Sequence, residues 1–252
     1  MTRPLAEYST PDVTTPKWGL SETASLISDP GRASMLMALL GGVTMPAGQL
    51  AMIANIAPQT ASSHLSRLVA GELLAVEQQG RHRYYRLSSS EVAHAIEALL
   101  AATPCPSQRR GMGLASFSPA NESLAFARTC YSHLAGKLAV QIVSFLEYHR
   151  YLLPSEPLQY KVSTRGRTWF QEFGIALHDS QLKHPRFARR CLDWTERRPH
   201  IAGNLGCAML ARLRELKWVA PVRGSRALRL TFEGRQGCEK LLGLRFANES
   251  RS

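Results

Sequence analysis

Apolar residues recur at helical spacing in short blocks that proline and glycine punctuate. Ser21 to Ser28 reads as a short helix. Asp29 and Pro30 then pair an N-cap with a first-turn proline, opening a helix with Ala33, Leu36, Met37 and Leu40 on one face. Gly41 and Gly42 end it. Thr44 and Pro46 offer another start, Asn55 a left-handed stop, and Pro58 opens a helix that runs to about Ala70. After Gly71 the period shortens to two. Leu73 to Glu77 and Arg83 to Leu87 flank a polar tip containing Gly80, and Tyr85 and Leu87 face one side while Tyr84 and Arg86 face the other. A hairpin is predicted, followed by a helix capped within Ser88 to Ser90 and carrying Val92, Ala95, Ile96, Leu99 and Leu100 as its stripe.

Residues 1–19, interrupted by Pro4, Pro11 and Pro16, read as a flexible arm, and residues 104–122 read as a Pro-, Gly- and Ser-rich linker. The expected units are therefore 20–103 and 123–252. In the second, the pattern predicts a long helix from Ser123 to Leu152, a strand at Tyr160 to Ser163 and a helix from Gly166 to Phe173. Helices around Ala188 to Arg197 and Leu205 to Leu216 complete it. Residues 210–231 can be laid over 65–88, with Leu65 on Leu210, Arg67 on Arg212, Leu68 on Leu213 and Leu87 on Leu230, and 160–173 resembles 228–241. Either the helix–hairpin–helix order occurs twice, or strand-to-helix junctions simply reuse similar residues.

The 252 residues, 44% hydrophobic and 20% charged, suit a folded globular chain and exclude collagenous or wholly disordered classes. No apolar run approaches the roughly 20 residues of a membrane-spanning helix, and the N-terminus lacks a secretory pattern, so a cytoplasmic location without membrane attachment is expected. Five scattered cysteines suit reduced thiols. The net charge of +12 fits a polyanionic partner. That charge is uneven: residues 1–104 hold 7 Lys+Arg against 8 Asp+Glu, and the remainder hold 24 against 11. Simple solubility is the competing explanation.

A helix that enters a DNA major groove needs short polar or basic side chains near its first turns and an apolar back. The 58–70 helix supplies both. Ala61, Leu65 and Leu68 form the inward face, leaving Gln59, Thr60, Ser62, Ser63, His64 and Arg67 outside it. Gln59 suits adenine, Arg67 suits guanine or phosphate, and the others suit either role. Arg81, His82 and Arg83 at the hairpin tip (wing, 77–86) suit backbone or minor-groove contact. A merely solvated polar face is the alternative; the helix, turn, helix, basic hairpin order favours DNA.

Residues Ser21 to Ala102 resemble the ArsR family of winged-helix repressors, through SDPGRASMLMALL, the turn and recognition helix IAPQTASSHLSRL, and the wing GRHRYYRLS. The fold class expected is mainly α with small β-hairpins (α+β). It comprises an N-terminal winged helix-turn-helix and a second helical, possibly winged-helix-like domain. The resemblance implies a homodimer joined through Glu22 to Ile27 and Glu91 to Ala102, binding a palindromic double-stranded operator. One departure is Glu72 where the family commonly has Gly, with Gly71 one place earlier. Many relatives bind metals through a Cys pair before the turn or acidic and His ligands on the last helix. Here Leu50 to Ile56 reads LAMIANI, and only Glu91, His94 and Glu97 remain, read as an exposed polar stripe.

Beyond this region, Cys191, His200 and Cys207 lack compact ligand spacing and read as small apolar fillers, and Cys105 in the linker lacks a close basic neighbour. No metal and no cofactor are therefore expected. The segment Cys191 to Gly206, similar to the C-terminal part of longer ArsR-like regulators, admits an organic-effector pocket, a second DNA surface or an ion-pair lattice. The lattice is favoured because acidic and basic residues at helical spacing usually pair. No phosphate-cradling Gly-rich loop, HExxH, GxSxG or CxxC supports an enzyme, so no catalytic residue is expected. The expected function is a dimeric repressor with a regulatory or effector-sensing second domain. The alternative is a protein-interaction or redox- or metal-responsive module centred on that domain.

Overall fold

A computed structural model describes residues 19–80, 82–102, 119–156, 158–182, 184 and 186–246. The expected arm (apart from its last residue), most of the linker, Cys105 and Arg81 lie outside the described residues. Buried apolar side chains form two separate clusters, one before and one after the linker.

The first cluster is built on α1 (Leu20–Ile27), α2 (Pro30–Leu39), α3 (Ala47–Ala54) and α4 (Pro58–Ala70). Strands β2 (Leu74–Gln79) and β3 (His82–Leu87) and helix α5 (Ser90–Ala102) follow. Asp29 accepts the Arg32 amide at 2.9 Å, which satisfies a donor that α2 would otherwise leave free. Asn55 closes α3 at φ 52°, a conformation its short polar side chain tolerates. A two-residue strand, β1 (Met45–Pro46), unforeseen in the sequence, pairs with β3 through Met45 and Tyr85. Leu36, Leu50, Leu65 and Leu68 form the packed centre. Glu72 takes the left-handed conformation at φ 58° that glycine would ordinarily supply. Gly71 is small for a different reason: a Cβ there would stand 2.2 Å from Leu26 Cδ1 on α1.

The second cluster departs from the predicted long helix. Ser123 to Leu152 divides into α6 (Pro119–Phe126), the hairpin β4 (Arg128–Cys130) and β5 (His133–Ala135), and α7 (Lys137–Tyr148). Tyr131 at φ 58° and Gly136 at φ 89° break the helix, although apolar spacing continues across them. Next come β6 (Leu152–Ser155), β7 (Gln159–Val162), α8 (Thr164–Glu172) and the short α9 (Asp179–Leu182). The helix expected over Ala188 to Arg197 is instead strand β8 (Arg189–Leu192) and a turn containing Arg197 at φ 56°, answered by β9 (Pro199–Ala202). Then follow α10 (Gly203–Glu215), β10 (Val219–Pro221), β11 (Leu228–Leu230) and α11 (Phe232–Leu242).

This unit is one hairpin–helix–hairpin–helix motif used twice. HLAG at 133–136 corresponds to HIAG at 200–203, and Leu138 and Leu146 correspond to the equally buried Leu205 and Leu213. Gly136 and Gly203 enter their helices at φ 89° and 76°. Ser163 caps α8 through the Gly166 amide at 2.9 Å, and Thr231 caps α11 through the Gly234 amide at 2.9 Å. Both glycines are obligatory by packing: a Cβ would lie 2.2 Å from the Tyr151 oxygen in one case and 2.1 Å from the Trp218 oxygen in the other. The four-stranded sheet runs β6-β7-β8-β9, so the second motif's first hairpin extends the first motif's second hairpin. The order α10–β10–β11–α11 also matches α4–β2–β3–α5, as the overlay of 210–231 on 65–88 anticipates.

Candidate nucleic-acid interface

Helix α4 seats Ala61, Leu65 and Leu68 in the core, each at most 1% exposed. The opposite face carries Gln59, Thr60, Ser62, Ser63 and Arg67 exposed, and also exposed is Ser66, absent from the sequence-derived set. Pro58 stands at N1 and no side chain caps the first turn, so its amides point outward unclaimed by the chain's own caps. His82 and Arg83 are exposed at the start of β3, opposite Gln79 and Gln78. Arg86, by contrast, is tied to Glu77 at 2.5 Å across the hairpin.

His64 departs from the open face. It is half-buried, with Nε2 3.4 Å from Asp29 Oδ1 and Nδ1 3.4 Å from Arg32 Nη1. Arg32 is itself buried and donates to the carbonyls of Leu26 at 2.6 Å and Ser25 at 2.8 Å, so α1, α2 and α4 share one polar knot. The Asp29 carboxyl sits below the usual carboxylate range, chiefly because it accepts the Arg32 amide, with smaller help from His64 and the Arg32 charge.

The two packed units meet at Glu97. Read in sequence as part of an exposed stripe, it is 5% exposed, because the carboxy-terminal unit covers that turn of α5. Its carboxylate accepts from Arg226 Nη2 at 2.8 Å and Trp194 Nε1 at 3.2 Å, and lies 3.6 Å from Arg128 Nε. Trp194 packs against the first core, and Arg226 also donates to the Leu40 and Thr129 carbonyls. Arg128, 1% exposed, reaches the fully buried Asp193 at 3.1 Å and stacks over Trp194 at 5.1 Å. Asp193 further accepts from the Gly136 amide at 2.7 Å and the Thr195 hydroxyl at 2.6 Å. Burial alone would raise its carboxyl, but His200, Arg128, Thr195 and Gly136 together hold it well below its ordinary value. Within 191–206 only Asp193 and His200 face one another as an acid–base pair among the described residues, on a hairpin and its turn and not on a helix, and the guanidinium beside Asp193 is Arg128 from outside the segment.

Beside this junction four side chains distant in sequence converge. Cys130 and His133 face each other across the β4–β5 pair, and Cys191 and His200 across β8–β9. Their sulfur and ring-nitrogen atoms all lie within 4.8 Å of one another. His133 Nε2 and His200 Nε2 are 3.1 Å apart, and Cys130 Sγ is 3.6 Å from Glu97 Oε2. Cys191, His200 and Cys207 have no compact ligand spacing along the sequence. The fold leaves Cys207 outside, against the Ser132 hydroxyl at 3.0 Å, and supplies Cys130 and His133 instead. The short Cys-x-x-His at 130–133 and the recurrence of His in HLAG and HIAG were the available signals.

A three-helix core that displays one polar helix and a following hairpin defines a winged helix-turn-helix DNA-binding protein. No family model matches the chain. The chain is 42% identical over 226 residues to the uncharacterized HTH-type transcriptional regulator YdfF of Bacillus subtilis (strain 168), covering 90% of this chain and 98% of that protein. It is 33% identical over 101 residues to the HTH-type transcriptional regulator CmtR of Mycobacterium tuberculosis (strain ATCC 25618 / H37Rv), covering 37% of this chain and 85% of that one. Among solved structures it is similar to NolR from Sinorhizobium fredii, at 29% identity and TM-score 0.29, over 31% of this chain and 78% of that chain. The solution structure of the cadmium metal-sensor CmtR from Mycobacterium tuberculosis gives 32% identity and TM-score 0.29, over 34% and 96%. The chain belongs to the HTH-type transcriptional regulators. Its relatives are named as regulators of transcription, not as enzymes. Among the described residues no helix is long and apolar enough to cross a membrane.

Proposed function

We propose that the protein is a homodimeric repressor that reads a palindromic operator through α4 and grips adjacent phosphates with its wing, under control of the carboxy-terminal unit. The observation that carries this reading is the open face of α4, where Gln59, Thr60, Ser62, Ser63 and Arg67 stand exposed over a wholly buried apolar back. Gln59 and Arg67 are the residues suited to bidentate base contact, and the uncapped first turn of α4 suits a phosphate. His82 and Arg83 supply the wing's charge. His64 serves the polar knot behind the helix.

Support for a dimer comes from an apolar groove lined by Ile27, Ala33, Met37, Ile96, Leu99 and Leu100 on α1, α2 and α5. Leu99 is half exposed there, although it belongs to the predicted apolar stripe of α5. A second copy burying that stripe would bring two α4 helices to one side of the pair.

The test is an electrophoretic shift of genomic fragments by the full chain, repeated over a range of salt. Binding to a discrete fragment should weaken with salt by a log–log slope of about −0.9 per phosphate neutralised. Equal, salt-insensitive retention of every fragment, or none at low salt, overturns the reading.

A further inference from the structure

We propose that Cys130, His133, Cys191 and His200 bind one divalent metal ion of the zinc class, in a closed tetrahedral Cys2His2 site that joins the two repeated motifs.

Four donors of the right kind converge from two hairpins, each contributing one sulfur and one imidazole as a directly opposed cross-strand pair. In a tetrahedral zinc site with Zn–S of about 2.3 Å and Zn–N of about 2.0 Å, neighbouring donor atoms stand roughly 3.3 to 3.8 Å apart. Here all lie within 4.8 Å, so the set needs only a small contraction around an ion. The two Nε2 atoms face one another at 3.1 Å. Neutral rings at this distance share one N–H···N hydrogen bond, and a cation that takes the place of its hydrogen would use both Nε2 lone pairs.

The surroundings have the form of an outer ligand shell. His200 Nδ1 lies 3.3 Å from Asp193 Oδ2, a placement that turns Nε2 toward the cysteines. Asp193 is in turn fixed by the Gly136 amide, the Thr195 hydroxyl and Arg128. His133 and His200 are equivalent residues of the two motifs, 67 positions apart, so the site sits on the seam between the copies. Three of the four ligands are buried, and with four protein donors no position stays open for a substrate. Two thiolates and two imidazoles select zinc, cobalt or cadmium over magnesium or calcium. Each cysteine enters as thiolate, its proton passing to solvent on binding.

This names a ligand class for the unit proposed above as regulatory, and its test contains no DNA, so its failure leaves the operator reading standing. The full chain, reduced and stripped with a chelator, is titrated with Co2+ and then with Zn2+. One equivalent of Co2+ should raise the intense visible band of tetrahedral cobalt and a thiolate charge-transfer band, and Zn2+ should displace both. Cys191→Ser and His133→Gln should abolish the bands at one equivalent, while Cys207→Ser keeps them. Because loss in a single variant can reflect misfolding, His133→Cys supplies a second arm. It preserves four donors and should bind Co2+ with charge-transfer intensity raised by about half, three thiolates replacing two. Zn2+ should also raise the Tm of the wild-type chain and leave that of Cys191→Ser unmoved. Octahedral, weakly coloured cobalt, or bands that persist unchanged in Cys191→Ser and His133→Gln, would overturn the assignment.

Discussion

Glu97 of α5 and Arg226, 129 residues later in the chain, meet at 2.8 Å across the boundary between the two packed units. Arg226 also bonds the Leu40 carbonyl at the end of α2, and its amide donates to the Gly41 oxygen at 2.6 Å. One side chain thus holds two helices of the DNA-binding unit at once. Arg226→Ala should cost about 1.5 to 3 kcal/mol, the range for hydrogen bonds to charged groups. Calorimetry should show the units melting in separate steps in the variant, and a single unchanged transition would refute the coupling.

Arg128 answers two carboxylates, Asp193 and Glu97, in a site where all three groups are nearly sealed from water. Removing the cation takes the guanidinium from the buried Asp193 carboxylate, while Glu97 keeps Arg226, and a buried charge stripped of its partner costs more than a pair never built. Arg128→Met should lower stability by about 3 to 5 kcal/mol in urea unfolding at neutral pH. A loss below about 1 kcal/mol would mean that water reaches the site.

Arg67 and Arg83 stand exposed on α4 and the wing with no ion pair among the described residues. Each alanine variant should weaken operator binding and flatten the salt slope by about 0.9 if the lost contact is to phosphate. If Arg67 reads a base instead, its variant should cost about 1 to 3 kcal/mol and relax preference at one position of the site. Titrations at several salt concentrations separate the two.

Leu99 carries the proposed dimer face. Leu99→Arg places charge within an apolar groove and should yield a monomer in sedimentation, with operator affinity falling in step. Retention of a dimer would move the two-fold contact elsewhere.

Asp29 gives a pH signature. Its carboxyl is depressed in the folded chain by the Arg32 amide, so its stabilisation is complete above the unfolded value and fades as pH falls through the folded one. Asp29→Ala should cost about 1 kcal/mol at pH 7 as a lost cap. The gap between variant and wild type should close in acid below about pH 4, and a gap constant down to pH 2 would contradict the assignment.

The amino-terminal unit is readable in the sequence because its boundaries are chemical. Pro58 and Gly71 bracket α4, Asp29 and Pro30 open α2, and Asn55 closes α3, each acting through its own backbone. The carboxy-terminal unit hides its hairpins because their strands are short and their pairing is tertiary. Leu124, Leu134, Leu138 and Ile142 keep helical spacing while two strands and a turn intervene. Arg189 to Leu192 becomes a strand only through Pro199 to Ala202 and Gln159. The Cys and His quartet leaves only faint marks in the sequence, Cys-x-x-His at 130–133 and the repeated His, because its members are neighbours across strands and strand register is absent from one-dimensional spacing. His64 and Glu97 were misplaced because periodicity gives a direction on a helix but not the body packed against it.

Gly71 lies so close to Leu26 that an added Cβ would stand 2.2 Å from Leu26 Cδ1, the free end of that side chain. The end of α4 and the packing of α1 are therefore coupled through the tip of one side chain. Replacing that glycine by alanine would force Leu26 into another rotamer and loosen its seat in the amino-terminal core, a cost borne by one side chain and not by the helix that carries it.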